Sequence, residues 1–381
     1  MKNLRGKKIA IVGGGPGGLT LARLLQMAGA DVNVYERDKD ADARPKGATL
    51  DLHDESGLKA LQAAGLIEEF WANYRPGADR LHLMDKDAKS IIEENIAGEG
   101  DSSRPEIDRG PLQAILFRSL KAGTVVWDSH FSSMDKKHGV WKLAFKNGSE
   151  VFADVVIAAD GANSKIRPYL TEIRPFYSGV TAIESAVYNS AINAPQVHKL
   201  LNGGKIFAFG DSKSLIVSSK GDGSLVFYPS FKIDEKWVQQ SGLDFNDRLQ
   251  MLDWFKTAYA GWSNVWHELF ENSAGNFIPR PLYCMPFDQT WPAQSNLTML
   301  GDAAHLMPPF AGEGVNMAML DAVELSVALL SNRHSDLQTA IATYEQEMRS
   351  RASGTAQITM ESTEALHSPG AIEYLMAVVG M

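Results

Sequence analysis

A single cysteine, Cys284, in 381 residues excludes an internal disulfide and any paired-cysteine metal or redox centre, and it fits a reducing, cytoplasmic setting. Runs of basic residues are missing too. A formal net charge of -9 and a pI near 5.5 oppose a nucleic-acid partner, because phosphate binding draws its free energy from clustered Lys and Arg. No apolar stretch runs unbroken for the roughly 18 residues a membrane span needs. The segment Val315 to Leu330 is interrupted by Asp321 and Glu324 and reads as a buried helix. Lys2, Arg5, Lys7 and Lys8 ahead of Ile9 to Val12 imitate a signal peptide, but glycines break the apolar run and no small-residue cleavage site follows. Internal repeats, low-complexity linkers and a metal-ligand set are likewise lacking. What remains is a 41.6 kDa chain, long enough for two domains sharing one cleft.

Glycine is where the chain becomes specific. Lys8 to Val12 is a short apolar run, followed by Gly13-Gly14-Gly15-Pro16-Gly17-Gly18, a helical pattern of Leu19, Leu21, Ala22, Leu24 and Leu25, and a second strand-like run, Asp31 to Tyr35. Gly13, Gly15 and Gly18 satisfy G-x-G-x-x-G: the first makes a tight turn, the second lets backbone approach a phosphate, and the third permits close helix packing. Glu36 ends the second strand, where an acidic residue takes a ribose hydroxyl pair. This half serves NAD and FAD equally. Arg37 pairs with a phosphate or lies solvated.

Glu150 to Ala159 reads as one strand running into Asp160-Gly161, either a second nucleotide-contacting turn or an ordinary one. Arg109 opens a helix patterned by Leu112, Ile115, Leu116 and Leu120. Leu297 to Leu300 is another strand, ended by Gly301-Asp302. A carboxylate there can accept hydrogen bonds from a polyol chain, which FAD has and NAD lacks, so Asp302 tips the choice to flavin. Pro308-Pro309 sets an extended turn, Gly312 and Gly314 keep side chains away, and the helix beginning near Glu313 aims its amides, with Val315, at the N1/C2=O edge of a flavin. Phe310 lies against the substrate or simply packs. His305 reads as a hydrogen-bonded structural residue, and no general base is assigned.

Between about 179 and 278 the pattern alternates as Lys205 to Phe209, Ser214 to Ser218 and Ser224 to Tyr228, with Gly221-Asp222-Gly223 marking a hairpin. Phe207, Phe209, Val226 and Tyr228 face either a pocket or the far side; period two does not choose. Trp254, Trp262 and Trp266 read as packing. Leu337, Ile341, Tyr344 and Met348 then define a long helix capped by Ser335 or Asp336 and broken by His367-Ser368-Pro369-Gly370, before a short apolar face of Ile372, Leu375, Met376 and Val379.

In this order the glycine turn, Asp160-Gly161 with Arg167, and Gly301-Asp302 resemble the class A flavoprotein aromatic hydroxylases, typified by para-hydroxybenzoate hydroxylase, over nearly the whole chain. Val34 to Asp38, Gly47 to His53, Val126 to Asp128 and Gly301 to Asn316 most resemble the tetracycline-inactivating monooxygenases. The resemblance implies an α/β fold: a Rossmann-like FAD-binding domain of the glutathione reductase type (1–73, 100–178, 279–330), an inserted mixed β-sheet substrate domain (74–99, 179–278) and a C-terminal bracing helical segment (331–381). It implies that Arg37 and Arg109 contact FAD, that NADPH reduces it without a separate nicotinamide fold, and that O2 then forms a C4a-hydroperoxide that hydroxylates a phenol or enol. A tetracycline-type antibiotic is one substrate; a simpler aromatic is the alternative, as is reduction or dehydrogenation without oxygen insertion. The chain departs from that group at Glu184, Val226 and Tyr228, where those enzymes carry Gln, His and Gly. With Phe207, Pro309 and Phe310 these are the substrate-binding candidates. The expected state is a monomer or weak homodimer.

Overall fold

The computed structural model describes residues 4–41, 43, 48–93 and 104–378. Lys2, Gly47 and Val379 lie outside them. A parallel sheet of five strands is ordered Leu297–Met299, Val155–Ala158, Lys8–Val12, Asp31–Tyr35, Val125–Val126. Its central strands are buried on both faces, which is why Ile9 to Val12 and Val155 to Ala158 are unbroken apolar runs. The first helix, Pro16–Met27, turns Leu19, Leu21 and Leu25 into that core.

The single strand expected over Glu150 to Ala159 is two strands in two sheets. Glu150–Ala153 pairs antiparallel with Val140–Phe145 in a three-stranded sheet that includes Phe131–Lys137, whereas Val155–Ala158 enters the parallel sheet. Asp154 makes the switch: its N–H donates to the Lys8 carbonyl (2.9 Å) and its carboxylate accepts from the Lys8 N–H (2.8 Å). A continuous β-pattern conceals such a change of partner, since side-chain alternation carries no information about which strand lies alongside.

A second, mixed sheet of seven strands runs Ile278–Cys284, Phe176–Val187, Leu225–Lys232, Lys213–Ser219, Lys205–Gly210, Leu81–Asp85, Ser90–Glu93. It takes in residues on both sides of positions 179 and 279. The hairpin at Gly221 to Gly223 is closed by Gly223 N–H to the Lys220 carbonyl (3.1 Å). One face, with Ile183, Ile206, Leu215, Leu225 and Phe227, packs on helices carrying Met251, Phe255 and Phe270. Trp262 and Trp266 are buried in that outer core and Trp254 packs at its edge. Glu184, Phe207, Phe209, Val226 and Tyr228 alternate onto the other, inner face, where Phe207 and Phe209 cluster with Phe310 and the C-terminal residues.

Asp336 caps the long helix Leu337–Leu366, accepting from Thr339 N–H (2.8 Å), while Ser335 donates to the Asp336 carboxylate. Leu337, Ile341, Tyr344 and Met348 are buried against the parallel-sheet core. The last helix, Ala371–Val378, places Ala371 and Leu375 against Leu83 and Phe209, so the C-terminal segment braces both sheets.

Candidate active site

The glycine turn meets three separate steric demands. Gly13 has φ +113°, and a Cβ there would stand 2.1 Å from the Ala159 carbonyl oxygen; at Gly18 it would stand 2.2 Å from that of Gly13. At Gly15 a Cβ would meet nothing within 4 Å, so this backbone lies open to a ligand. Glu36 is buried, with Oε2 accepting from Gly14 N–H (2.6 Å) and Oε1 from Asp38 N–H (3.0 Å). Arg37 is exposed beside it. A cavity of about 230 Å³ adjoins the turn, bordered by Gly14, Gln113, Phe117 and Trp127.

Asp160 accepts from Lys165 N–H (2.7 Å) through Oδ2, while its buried Oδ1 has no partner among the described residues; burial raises its pKa above the ordinary carboxyl value. Arg167, buried behind it, donates from Nε to the Ala303 carbonyl (2.7 Å) and from Nη2 to that of Asp302 (2.8 Å). It thereby fixes the late G-D turn to the middle one. The Asp302 carboxylate itself accepts no hydrogen bond from a described residue. Burial pushes its pKa up, partly offset by His305, Arg109 and Arg167. A desolvated carboxylate without a protein partner is costly unless a ligand satisfies it, and a polyol supplies the required donors. Together with the open Gly15 backbone, this fits FAD. Such a group would lie between the glycine turn and the Pro309 loop.

Around that loop the structure adds residues that sequence reading missed. Asp321, wholly buried, accepts from Gly301 N–H (2.8 Å), His305 Nε2 (2.6 Å) and Arg351 Nη2 (2.6 Å). These cations hold its pKa down, and Asp321 in turn raises that of His305. His305 is thus a satisfied structural residue. Asn316 Oδ1 accepts from His53 N–H (3.0 Å), Gly57 N–H (3.2 Å) and the Ser56 hydroxyl (3.2 Å), while its Nδ2 donates to the Asp51 carbonyl (3.0 Å). It binds the start of the Gly314–Leu330 helix to residues 51–57. Gly312 takes φ +72° with the Asp51 carboxylate beside it, and a Cβ at Gly314 would meet nothing within 4 Å. His53 bridges Asp51 (3.1 Å) and Glu313 (3.5 Å). Polar residues inside an otherwise apolar helix were the available signal for Asn316 and Asp321; the identity of their partners was not.

Over this loop stands the inner face of the seven-stranded sheet. Tyr228 is held by Ala48 N–H (3.3 Å), and burial with the nearby Glu184 charge pushes its hydroxyl up to about 12 against the pull of Arg109 and Arg280. Glu184 accepts from Arg280 Nε (2.9 Å). Val226 is buried beside them, whereas Phe207 is half-buried and clusters with Phe310. Phe310 meets the His367 ring edge-on at 5.0 Å. His367 Nδ1 donates to the Thr363 carbonyl (2.7 Å), leaving Nε2 to accept from Ser230 (2.8 Å). Pro309 is exposed and Val315 half-buried against the parallel-sheet core. Arg109, exposed at the start of its helix, is near enough to influence both Asp302 and Tyr228. The structure therefore places Arg109 within electrostatic reach of both Asp302 and Tyr228, sets Glu184 near Tyr228, and packs Phe207 with Phe310.

These features define a dinucleotide-binding redox protein of the flavin type. The FAD binding domain profile matches residues 7–104 and 290–359. The chain is 28% identical to Monooxygenase asqM of Emericella nidulans, with 98% of each covered. It is 25% identical to 6-hydroxynicotinate 3-monooxygenase of Bordetella bronchiseptica over 94% of this chain and 92% of that one. HpxO of Klebsiella pneumoniae, solved with FAD and uric acid, shares the fold at a TM-score of 0.78 and 21% identity, covering 98% of this chain and 92% of that one. Tetracycline destructase Tet(55) shares it at 0.75 and 19%, covering 98% and 95%. In these matches the chain is similar to the class A flavoprotein hydroxylases, and it is an FAD-dependent monooxygenase.

Proposed function

We propose that the protein hydroxylates a flat phenolic or enolic small molecule, simple or polycyclic, at the expense of NADPH and O2: substrate C–H, NADPH, H⁺ and O2 give C–OH, NADP⁺ and water. The observation that carries this reading is the shared inner face. Glu184, Phe207, Val226 and Tyr228 share the sheet face on which Phe207 packs with Phe310, and an aromatic ring would lie between that face and the flavin edge.

FAD, when bound, supplies two-electron redox chemistry and oxygen activation. Gly13, Gly15 and Gly18 would admit its pyrophosphate, Glu36 its ribose hydroxyls, Arg37, Arg109 and Asp160 its polar middle, and Asp302 its ribityl chain. Pro309, Gly312, Gly314 and Val315 would line the ring edge, where helix amides favour negative charge. The protein's part is orientation and exclusion of water rather than acid-base catalysis by an assigned side chain. A FAD-binding domain close to residues 1–73, 100–178 and 279–330, with 176–178 and 279–284 given instead to the seven-stranded sheet, would then hold the cofactor beneath that sheet. Its lone buried thiol, Cys284, suits cytoplasmic work, as a monomer or weak homodimer.

The test is NADPH oxidation and O2 uptake by the FAD-loaded protein against phenols, pyridones and tetracyclines, with NADH as the comparison donor. Substrate-stimulated uptake with a product one oxygen heavier is expected. Turnover that proceeds unchanged without O2 would instead establish a reductase or dehydrogenase. Tetracyclines belong in the panel as polycyclic enols, although Val226 removes a polar anchor and Tyr228 fills space relative to the tetracycline-inactivating pattern.

A further inference from the structure

Glu184 and Tyr228 stand side by side, and among the described residues each keeps one hydrogen-bonding atom uncommitted. Between the register partners Ala182↔Ser230 and Ala186↔Val226, the antiparallel alignment sets Glu184 directly opposite Tyr228, at the roughly 5 Å Cβ spacing of cross-strand neighbours. Arg280, opposite Ala182 on the adjoining strand, turns Nε (2.9 Å) and Nη2 (2.8 Å) onto a single carboxylate oxygen, Oε2. Oε1 accepts nothing from the described residues. The Tyr228 oxygen accepts from Ala48 N–H, so its own proton remains to be donated. Desolvation and the Glu184 charge keep that proton on, with the hydroxyl pushed up to about 12.

We propose that this donor and acceptor select a substrate with a neutral lactam or vinylogous-acid edge, a carbonyl beside an N–H or enolic O–H, and turn away aromatic carboxylates. The inference rests on the proposed function, because it takes this inner face as the substrate wall. A lactam carbonyl would accept from Tyr228 while its N–H donates to Glu184 Oε1, and the ring would lie on Phe207 and Val226. A carboxylate offers acceptors alone. It would oppose oxygen to Oε1, and the guanidinium that could have welcomed it is already engaged by Glu184. A mispaired acceptor in a partly desolvated site weakens binding about 10- to 100-fold.

The experiment titrates oxidised, FAD-loaded protein with isoquinolone and with 1-naphthoate, a lactam and a carboxylate of similar size, following flavin absorbance in the absence of NADPH. Isoquinolone is expected to bind at least about 10-fold more tightly. Glu184→Gln should shift the ratio of the two dissociation constants toward naphthoate by about 10-fold or more, since its amide can donate and Arg280 loses its counter-charge. Tyr228→Phe should weaken isoquinolone by about 10-fold. Equal affinities in the wild type, or a ratio that Glu184→Gln leaves unmoved, would overturn the proposal. Turnover separates it from the reading beneath: tight lactam binding without hydroxylation counts against the proposed reaction alone, whereas equal hydroxylation of naphthoate and isoquinolone sinks the selection alone.

Discussion

Asn316 offers the sharpest test of how the flavin-edge loop is held. Replacing it by Ala removes five hydrogen bonds and leaves the buried N–H groups of His53 and Gly57 without acceptors. Each orphaned donor costs about 1–3 kcal/mol, so Asn316→Ala should lose about 3 kcal/mol, with the small cavity deepening the loss. Asn316→Asp separates the two halves of the side chain. It keeps the three acceptor contacts but turns an oxygen toward the Asp51 and Gly312 carbonyls, which accept and cannot donate. A carboxyl in that position should have its folded-state pKa raised, so its stabilising share is full below the unfolded value of about 3.9 and is lost as pH rises from there to the raised one. Urea denaturation of FAD-free protein should therefore find Asn316→Asp closest to wild type at about pH 4 and weaker at pH 8, with Asn316→Ala weak at both. Stability of both variants within about 0.5 kcal/mol of wild type at pH 8 would refute the role assigned to this residue.

Gly18→Ala drives a Cβ to 2.2 Å from the Gly13 carbonyl; the purified variant should be colourless and fail to take up FAD on dialysis. Asp302→Ala relieves a half-buried carboxylate whose charge desolvation disfavours, so thermal denaturation should find the FAD-free variant at least as stable as wild type, while its FAD dissociation constant rises about 10-fold for one lost charged hydrogen bond. Glu345, on the buried side of the long helix, accepts from the Trp291 indole N–H and the Thr298 hydroxyl, and burial pushes its pKa up to about 7 from an ordinary 4.5. Its contribution is full below 4.5 and declines as pH rises to 7, by at most about 3 kcal/mol. Glu345→Gln should flatten that stretch of the stability profile; an unchanged slope would dismiss the buried carboxyl as its source.

Local signals made the cofactor-binding architecture legible. The run from Lys8 to Tyr35 needed only periodicity and glycine placement, because a strand, turn and helix are specified by neighbours in sequence. The late G-D turn was equally visible. Beyond local order, the pattern failed in characteristic ways. Asp154 passes the chain between two sheets without interrupting β-alternation, and the inner or outer direction of Phe207 and Tyr228 depended on what the opposite face packs against. Asn316 and Asp321 announced themselves as polar residues in an apolar helix, yet their partners lie 263 and 30 residues away at His53 and Arg351. Arg280 gave no signal at all, since its pairing with Glu184 is set by strand register across 96 residues.

The central claim, an FAD-dependent monooxygenase, is tested most directly by supplying FAD-loaded protein with NADPH, a lactam or phenol that perturbs its flavin spectrum, and isotopically heavy O2. Mass spectrometry should find one heavy oxygen atom in the product and the other in water. A product formed without label, or at the same rate under nitrogen, would contradict it.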